Sequence, residues 1–431
     1  GEIKGNLNGQ LLEHGKSYKM TAFVGSGTNS LFTNWTQIVA GTTNLISDNP
    51  ISFVMQSNLI IEANFILNPF VPASGVYNGL FHQTNEVTHD SAGYVTLKVT
   101  PKLTFSGKLF LDGNSVSMSG KFNVDGTATR EISRSKFGKP NLQVNLALDF
   151  ANGTDQITGS IANGTEWTAS LLADHCKWTT NNPAVAYTNR YTMIVPGFAD
   201  SEEGPTGFGY GLLVIDPRGK VKLAGGAADG HVLKQGALLS KNGDYPLYAA
   251  LYVESRTQQA PNGTMTTLKE PKGSMIGWVR LTNNLAAGTT NLAPQGVVKW
   301  IKTGWTNNLY STGFTNVATL LGSRHLAPEK GVRAVDFSEG LLTMSGGNLT
   351  GPFNNDVFIN TNNAVMVKSP VLNSVKAGLA AKTGLFKGTF IHPHVGGVVT
   401  KYFGVVLQDY NYGRGYFVGN DEGGTVLLDP Q

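Results

Sequence analysis

Two stretches of this 431-residue chain carry the same punctuation. Residues 93–122, GYVTLKVTPKLTFSGKLFLDGNSVSMSGKF, and residues 209–239, GYGLLVIDPRGKVKLAGGAADGHVLKQGALL, each read strand, turn, strand, Asp-Gly, strand. Asp-Gly between alternating runs is a strong hairpin signal, because a type I′ turn needs positive φ at both central residues. The DPRG turn is equally legible: Pro217 fixes φ at its first central position and Gly219 follows. A further strand precedes each copy, GVYNGLF with Tyr77 and RYTMIVPG with Tyr191. Each copy is therefore a meander of at least four strands. A third, more divergent region begins near VRAVDFSEGLLTMSGGNLTG (332–351) and ends in a hairpin expected to turn at Asn411–Gly415. GVYNGLF and the later GLFKGTF (384–390) read as first strands of related units.

Many short strands separated by Gly, Asn, Asp and Pro turns specify an all-β chain, its antiparallel meanders forming a barrel or sandwich. Closure or near-closure is expected, since a sheet with few charged residues gains from having no exposed edges. The expected organisation is a small β-module over 1–68, a linker over 69–75, and β-repeat units over 76–186, 187–330 and 331–431. Pattern leaves open whether the three units close together as one large barrel.

Composition narrows the function classes. Charged residues are only 14%, Gly numbers 53, and the net charge of +4 comes from Lys and Arg dispersed along the chain. That dispersal leaves no run that marks a nucleic-acid partner. No apolar run reaches the roughly 18 residues of a membrane helix, so membrane insertion is not expected. The single cysteine, Cys176, forms no intrachain disulfide; between His175 and Lys177 it reads as a buried or tolerated thiol rather than a nucleophile.

The N-terminal stretch alternates Tyr18, Met20 and Ala22 against Ser17, Lys19 and Thr21, the period of a half-buried strand. LFTNWTQIV follows, and ISFVMQSNLIIEANFIL (51–67) reads as a hairpin turning at Gln56–Asn58, so three such strands make a small sheet. Gly15, Tyr18, the MTA run, Phe32 with Trp35, and SFVMQSNLIIEANF resemble the internalin-type B-repeat module of bacterial secreted and surface proteins. That resemblance covers residues 1–68 and implies that the family's opening strand lies before Gly1. From residue 75 onward, GVYNGLF, FSGKL with its DG turn, TGFGYGLLVIDPRGKVKLAGGAADG and GRGYFVG resemble a glycine-rich β-repeat found at the ends of large secreted or surface bacterial proteins. It implies a secreted or cell-surface bacterial location and brings no catalytic set with it.

Reactive motifs are few. The chain has no G-x-S-x-G, H-E-x-x-H, Walker loop or C-x-x-C. His392 and His394 in FIHPHVGG are two apart, the spacing by which a strand offers two imidazoles to a metal, although Pro393 argues for an edge or loop. FHQTNEVTHD (81–90) gathers His82, Glu86, His89 and Asp90 and reads as a polar loop. Asp200, Glu202 and Glu203 lie in a Gly-Pro loop where calcium is the one cofactor to consider, without the D-x-D-x-D-G order of a calcium loop. Tyr410, Tyr412 and Tyr416 interleave with Arg414 in QDYNYGRGYF, a stripe that suits sugar stacking or cross-strand packing. Asp174, Asp216, Asp229 and Glu254 form no pair that spacing nominates for glycoside chemistry.

Three functions stay open. The leading expectation is a non-catalytic structural and interaction module, its partners being copies of itself, neighbouring modules or polysaccharide. The alternatives are a carbohydrate-binding module and a secreted hydrolase with an unfamiliar site.

Overall fold

The computed structural model describes all residues except 26–28, 260–262, 264, 307, 308 and 395. The first module contains β1 (Glu2–Lys4), β2 (Ser17–Phe23), β3 (Ser30–Val39), β4 (Thr42–Ile46), β5 (Ile51–Val54) and β6 (Ile60–Leu67). They form two three-stranded sheets, β1-β2-β5 and β4-β3-β6, rather than one. The expected hairpin over 51–67 is two strands, but β5 pairs with β2 and β6 with β3. Met20, Ala22, Trp35, Ile51 and Phe53 fill the space between the sheets, each supplied by the inward parity of its strand.

Three eight-stranded antiparallel sheets follow. The first holds β7 (Gly75–His82), β8 (Gly93–Val99), β9 (Thr104–Leu111), β10 (Asn114–Lys121), β11 (Thr127–Ile132), β12 (Leu142–Leu148), β13 (Gln156–Asn163) and β14 (Trp167–Cys176). The second holds β15 (Asn189–Pro196), β16 (Phe208–Ile215), β17 (Lys220–Gly226), β18 (Val232–Leu238), β19 (Asp244–Gln259), β20 (Met265–Asn283), β21 (Leu292–Lys302) and β22 (Phe314–His325). The third holds β23 (Glu339–Gly346), β24 (Phe353–Ile359), β25 (Val365–Val367), β26 (Lys376–Ala380), β27 (Leu385–Ile391), β28 (Val399–Leu407), β29 (Tyr412–Val418) and β30 (Gly423–Pro430).

In every unit the first strand pairs with the last, so two meanders join into one curled, nearly closed sheet. The remaining gap lies between the fourth and fifth strands in the first two units, and between the third and fourth in the third. The units therefore close separately and do not share one large barrel. GVYNGLF opens the first unit as β7, as its turn context implies. GLFKGTF does not open a unit: it is the fifth strand of the third, and its likeness to β7 reflects a shared need for glycine and core aromatics.

Turn chemistry explains the corners. Asp112 and Gly113 have φ of 51° and 64°, the double positive of a type I′ turn. At Asp229-Gly230 only the glycine has positive φ, and the amide of Gly230 donates to the carbonyl of Ala227, so that loop is one residue longer and turns Asp229 inward. The last hairpin turns earlier than expected, through Gln408–Tyr410 and Asn411, so Tyr412 to Gly415 are already strand.

The repeat also shows in details that turns alone do not give. Tyr77 and Tyr191 are buried and each donates its hydroxyl to a carbonyl four residues upstream, Ala73 and Tyr187, at 2.8 and 2.9 Å. The seventh strand of each unit carries a glycine, Gly159, Gly296 and Gly415, opposite Leu146, Val279 and Gly404 of the sixth. A Cβ there would sit 2.0, 2.2 and 2.1 Å from the carbonyl oxygens of Asn145, Trp278 and Phe403. Each oxygen belongs to the residue just before the glycine's partner, so the same close approach recurs in all three units.

Candidate functional site

A cleft of about 660 Å³ lies where the first unit meets the open seam of the second. Tyr94, Phe110 and Gly113 form one wall, and β18 and β19 form the other. These two strands are neighbours without a backbone ladder, and Gln235 spans them. Its side-chain amide donates to Pro246 O at 3.0 Å, and its oxygen accepts from the Tyr248 amide at 2.8 Å and the Tyr245 hydroxyl at 2.7 Å. A glutamine amide has the donor and acceptor of a peptide group, so it replaces one rung of the missing ladder.

Behind the cleft lies a buried polar chain. The ladder between β19 and β20 keeps its register but is interrupted at Tyr252, whose φ of 58° is unusual for a bulky residue. The Tyr252 side chain is buried. Tyr252 donates to Asp229 Oδ2 at 2.5 Å and accepts from Trp300 Nε1 at 2.8 Å. His231 stands edge-on to the Tyr252 ring at 4.4 Å, with Nδ1 3.3 Å from Asp229 Oδ1. The buried Lys302 ammonium lies 5.3 Å from the Tyr252 ring centroid. Burial, then the Asp229 carboxylate, holds the Tyr252 phenol well above its usual range, which keeps it a donor. Burial lowers Lys302, partly offset by Asp229.

Asp229 is only 1% exposed in its side chain and is capped by Tyr252. Among the described cleft-lining residues there is no Ser, Thr, Cys, Asp or Glu, so His231 has no nucleophile or carboxylate partner facing a ligand. The chain matches no family model, no curated protein and no solved structure, so its own geometry alone bears on what it does.

At the unit 1–unit 2 joint, His89, Asp90 and Asp112 form the one cluster of three metal-capable side chains among the described residues. The cluster does not suit a cation. His89 Nδ1 meets Ser274 Oγ at 3.2 Å and Nε2 meets Pro271 O at 3.0 Å, while Arg134 and Lys139 already occupy Asp112 Oδ2 at 3.3 and 2.7 Å. The loop reading of His89 thus misses a buried residue that docks on the neighbouring unit. Its partners are some 180 residues away, beyond the reach of local spacing.

The residues nominated from sequence occupy three places. His392 is fully buried at the end of β27, with Nε2 2.8 Å from Gly347 O and Nδ1 accepting the His394 amide at 3.2 Å. His394 is exposed and meets Thr350 Oγ1 at 3.0 Å. Asp200, Glu202 and Glu203 stay in an exposed or half-exposed turn in which Asp200 accepts the Glu202 amide at 2.9 Å. Tyr412, Arg414 and Tyr416 share one face of β29, and Tyr410 precedes them in the turn.

That aromatic stripe lies in the joint between the second and third units. Tyr416 is buried and stacks on Tyr210 of the second unit at 6.2 Å. Tyr410 donates to Asn284 Oδ1 at 2.9 Å, and Arg414 covers the Tyr412 ring at 3.9 Å while pairing with Asp429 at 2.7 Å. Sequence reasoning missed Asp409, which accepts from Asn284 and Asn291 at 3.1 and 3.0 Å across this joint. Burial pushes the Cys176 thiol up to about 12, away from the thiolate form.

Histidines at or near the joints make stability pH-dependent. Burial is the largest influence on His89, His175 and His325 and lowers all three. Around His89, Asp112, Asp90 and the Pro271 carbonyl oppose burial and Lys139 assists it. Around His175, Lys177 and Lys241 assist while Asp155 and Ser74 oppose; around His325, Arg190 assists and the Ala381 carbonyl opposes. Unfolded histidine takes up its proton near pH 6.5, whereas these do so only at lower pH, so stability is full above about 6.5 and falls as pH drops below it. Thermal melts from about pH 8 to 5 show a level midpoint and then a decline, and His325→Gln makes the decline shallower. A midpoint that does not move over this interval contradicts the assignment.

Proposed function

We propose that the chain is a non-catalytic structural and interaction module of a secreted or cell-surface bacterial protein, its three units acting as one stiff array. One observation carries this reading: Tyr410 and Tyr416 of the aromatic stripe, and His89 of the polar loop, are spent on the joints between units. Tyr410 and Tyr416 tie the third unit to the second, and His89 ties the second to the first. Self-association belongs to the same reading, because the two three-stranded sheets of the first module end in edge strands, β1, β5, β4 and β6, to which another copy can add.

Light scattering coupled to size-exclusion chromatography, with negative-stain imaging over a range of concentrations, tests it. Elongated particles of constant outline, forming larger regular species at high concentration, support the array. Particles whose units swing independently overturn stiffness, and a strict monomer removes self-association. Turnover in a panel of polymer hydrolysis assays overturns the non-catalytic part. A second reading, carbohydrate binding, draws support from the cleft, where Tyr94, Phe110 and Tyr248 contribute aromatic lining beside Lys234 and His231.

A further inference from the structure

Between Asp356 and Asp409 the sequence has no Asp or Glu, yet it contains Lys368, Lys376, Lys382, Lys387 and Lys401. Lys368 pairs with Glu339; among the described residues the other four make no ion pair. Three of the four are brought together by the ladder. On one rung Thr389 of β27 stands between Lys376 of β26 and Lys401 of β28, and two residues along Lys387 stands between Gly378 and Phe403. Residues on paired rungs, and those two apart on one strand, face the same side of a sheet. The three ammonium groups therefore point from one outer face, Lys387 diagonal to the other two, with the flanking strands about 10 Å apart.

That face is concave. A groove of about 630 Å³ runs over it, lined by the three lysines, Thr389, Phe403 and the small residues of β26. All three lysines are exposed, and no carboxylate lines the groove. Like charges on neighbouring strands repel, and a groove with apolar walls concentrates their field, so the arrangement is unfavourable alone and favourable with an anion in place.

We propose that this groove binds an acidic polysaccharide, the lysines meeting its carboxylates and the apolar floor under Phe403 and Gly378 carrying its rings. Lysine supplies hydrated point charges on flexible stems, which suits acidic groups spaced along a polymer rather than one planar anion. A single-stranded nucleic acid would need free aromatic faces for its bases. The groove's one aromatic, Phe403, is half-buried and packs against Tyr416 at 6.3 Å. An acidic peptide adding to the sheet would need the edge of β26, against which β25 lies. The proposal goes beyond the array reading and does not depend on it.

The probe is polygalacturonate, with its fully methyl-esterified form as the uncharged match, tested on the full chain by affinity electrophoresis and calorimetry at low and physiological salt. The acidic polymer is expected to bind, the ester not, and binding weakens with salt. Lys376→Ser/Lys387→Ser/Lys401→Ser weakens binding roughly tenfold or more. The charge-matched Lys98→Ser/Lys108→Ser/Lys222→Ser variant, which removes exposed lysines from strands of the other two units, leaves it unchanged. Equal loss in both variants reduces the effect to net charge and overturns the site, as does absence of binding at low salt. Single-stranded DNA or polyglutamate binding as tightly, with the same dependence on the three groove lysines, overturns the choice of a glycan. Unchanged melting of both variants confirms that the comparison is between folded proteins, and none of these outcomes bears on particle shape.

Discussion

Alanine in place of Gly415 destabilises the third unit by about 3 kcal/mol, at the upper end of overpacking costs, and Gly159→Ala and Gly296→Ala do the same to the first and second. The new methyl would sit 2.0 to 2.2 Å from a main-chain carbonyl oxygen of the sixth strand. That oxygen is held in the ladder and has no rotamer by which to retreat, so the two strands must separate there. For a unit of this size each kcal/mol is worth roughly 4–8 °C, so calorimetry of the full chain should show one transition shifted down by more than about 10 °C. Gly236→Ala is the control. It lies in β18, its nearest neighbour is Val221 O at 3.9 Å, and its melt is expected to stay where it is. Equal shifts at Gly236 and Gly415 would mean that glycine is needed for flexibility rather than for close approach.

These glycines show where the sequence is legible and where it stops. Turns are written locally: Asp112-Gly113, DPRG and the alternation around Tyr77 and Tyr191 suffice to predict antiparallel meanders, and the all-β repeat is what the chain forms. Strand partners are not local. Nothing in ISFVMQSNLIIEANFIL says that its two strands part to opposite sheets, because alternation gives a strand's inward face and not its neighbour. The three seventh-strand glycines are indistinguishable by sequence from many others until the sixth strand is placed beside them. The functional residues follow the same rule. Tyr416 is visible as one of a stripe, but Tyr210, which covers it, is some 200 residues earlier. Lys376, Lys387 and Lys401 look dispersed because they lie on successive strands, and register alone turns dispersion into a cluster.

The second large effect is expected at Asp112. Its side chain is 9% exposed and accepts from Lys139 at 2.7 Å and from Arg134 at 3.3 Å, while Arg134 is only 5% exposed and also donates to Pro140 O and Asn163 Oδ1. Burial lowers the Arg134 pKa, with Asp112 and then Glu166 opposing, so that carboxylate offsets the cost of burying a guanidinium that stays charged. Removing it strands a buried cation, which costs about 3–5 kcal/mol. Asp112 has a φ of 51°, so alanine would add backbone strain; Asp112→Gly keeps the turn and Asp112→Asn keeps its shape, and both are expected to lose most of that amount. The same turn docks the first unit on the second, since a Cβ on Gly113 would lie 2.0 Å from Pro271 Cγ. The lost stability should therefore appear with a weakened joint: cleavage by protease in the 177–188 connection rises in parallel with the fall in melting temperature. Arg134→Met on its own costs less, because it leaves Asp112 with Lys139, and Asp112→Asn combined with Arg134→Met recovers much of the loss, since neither charge is then stranded. If the double variant is as unstable as the sum of the two single ones, Arg134 and Asp112 act independently, and the joint is held by packing around Pro271 instead of by this pair.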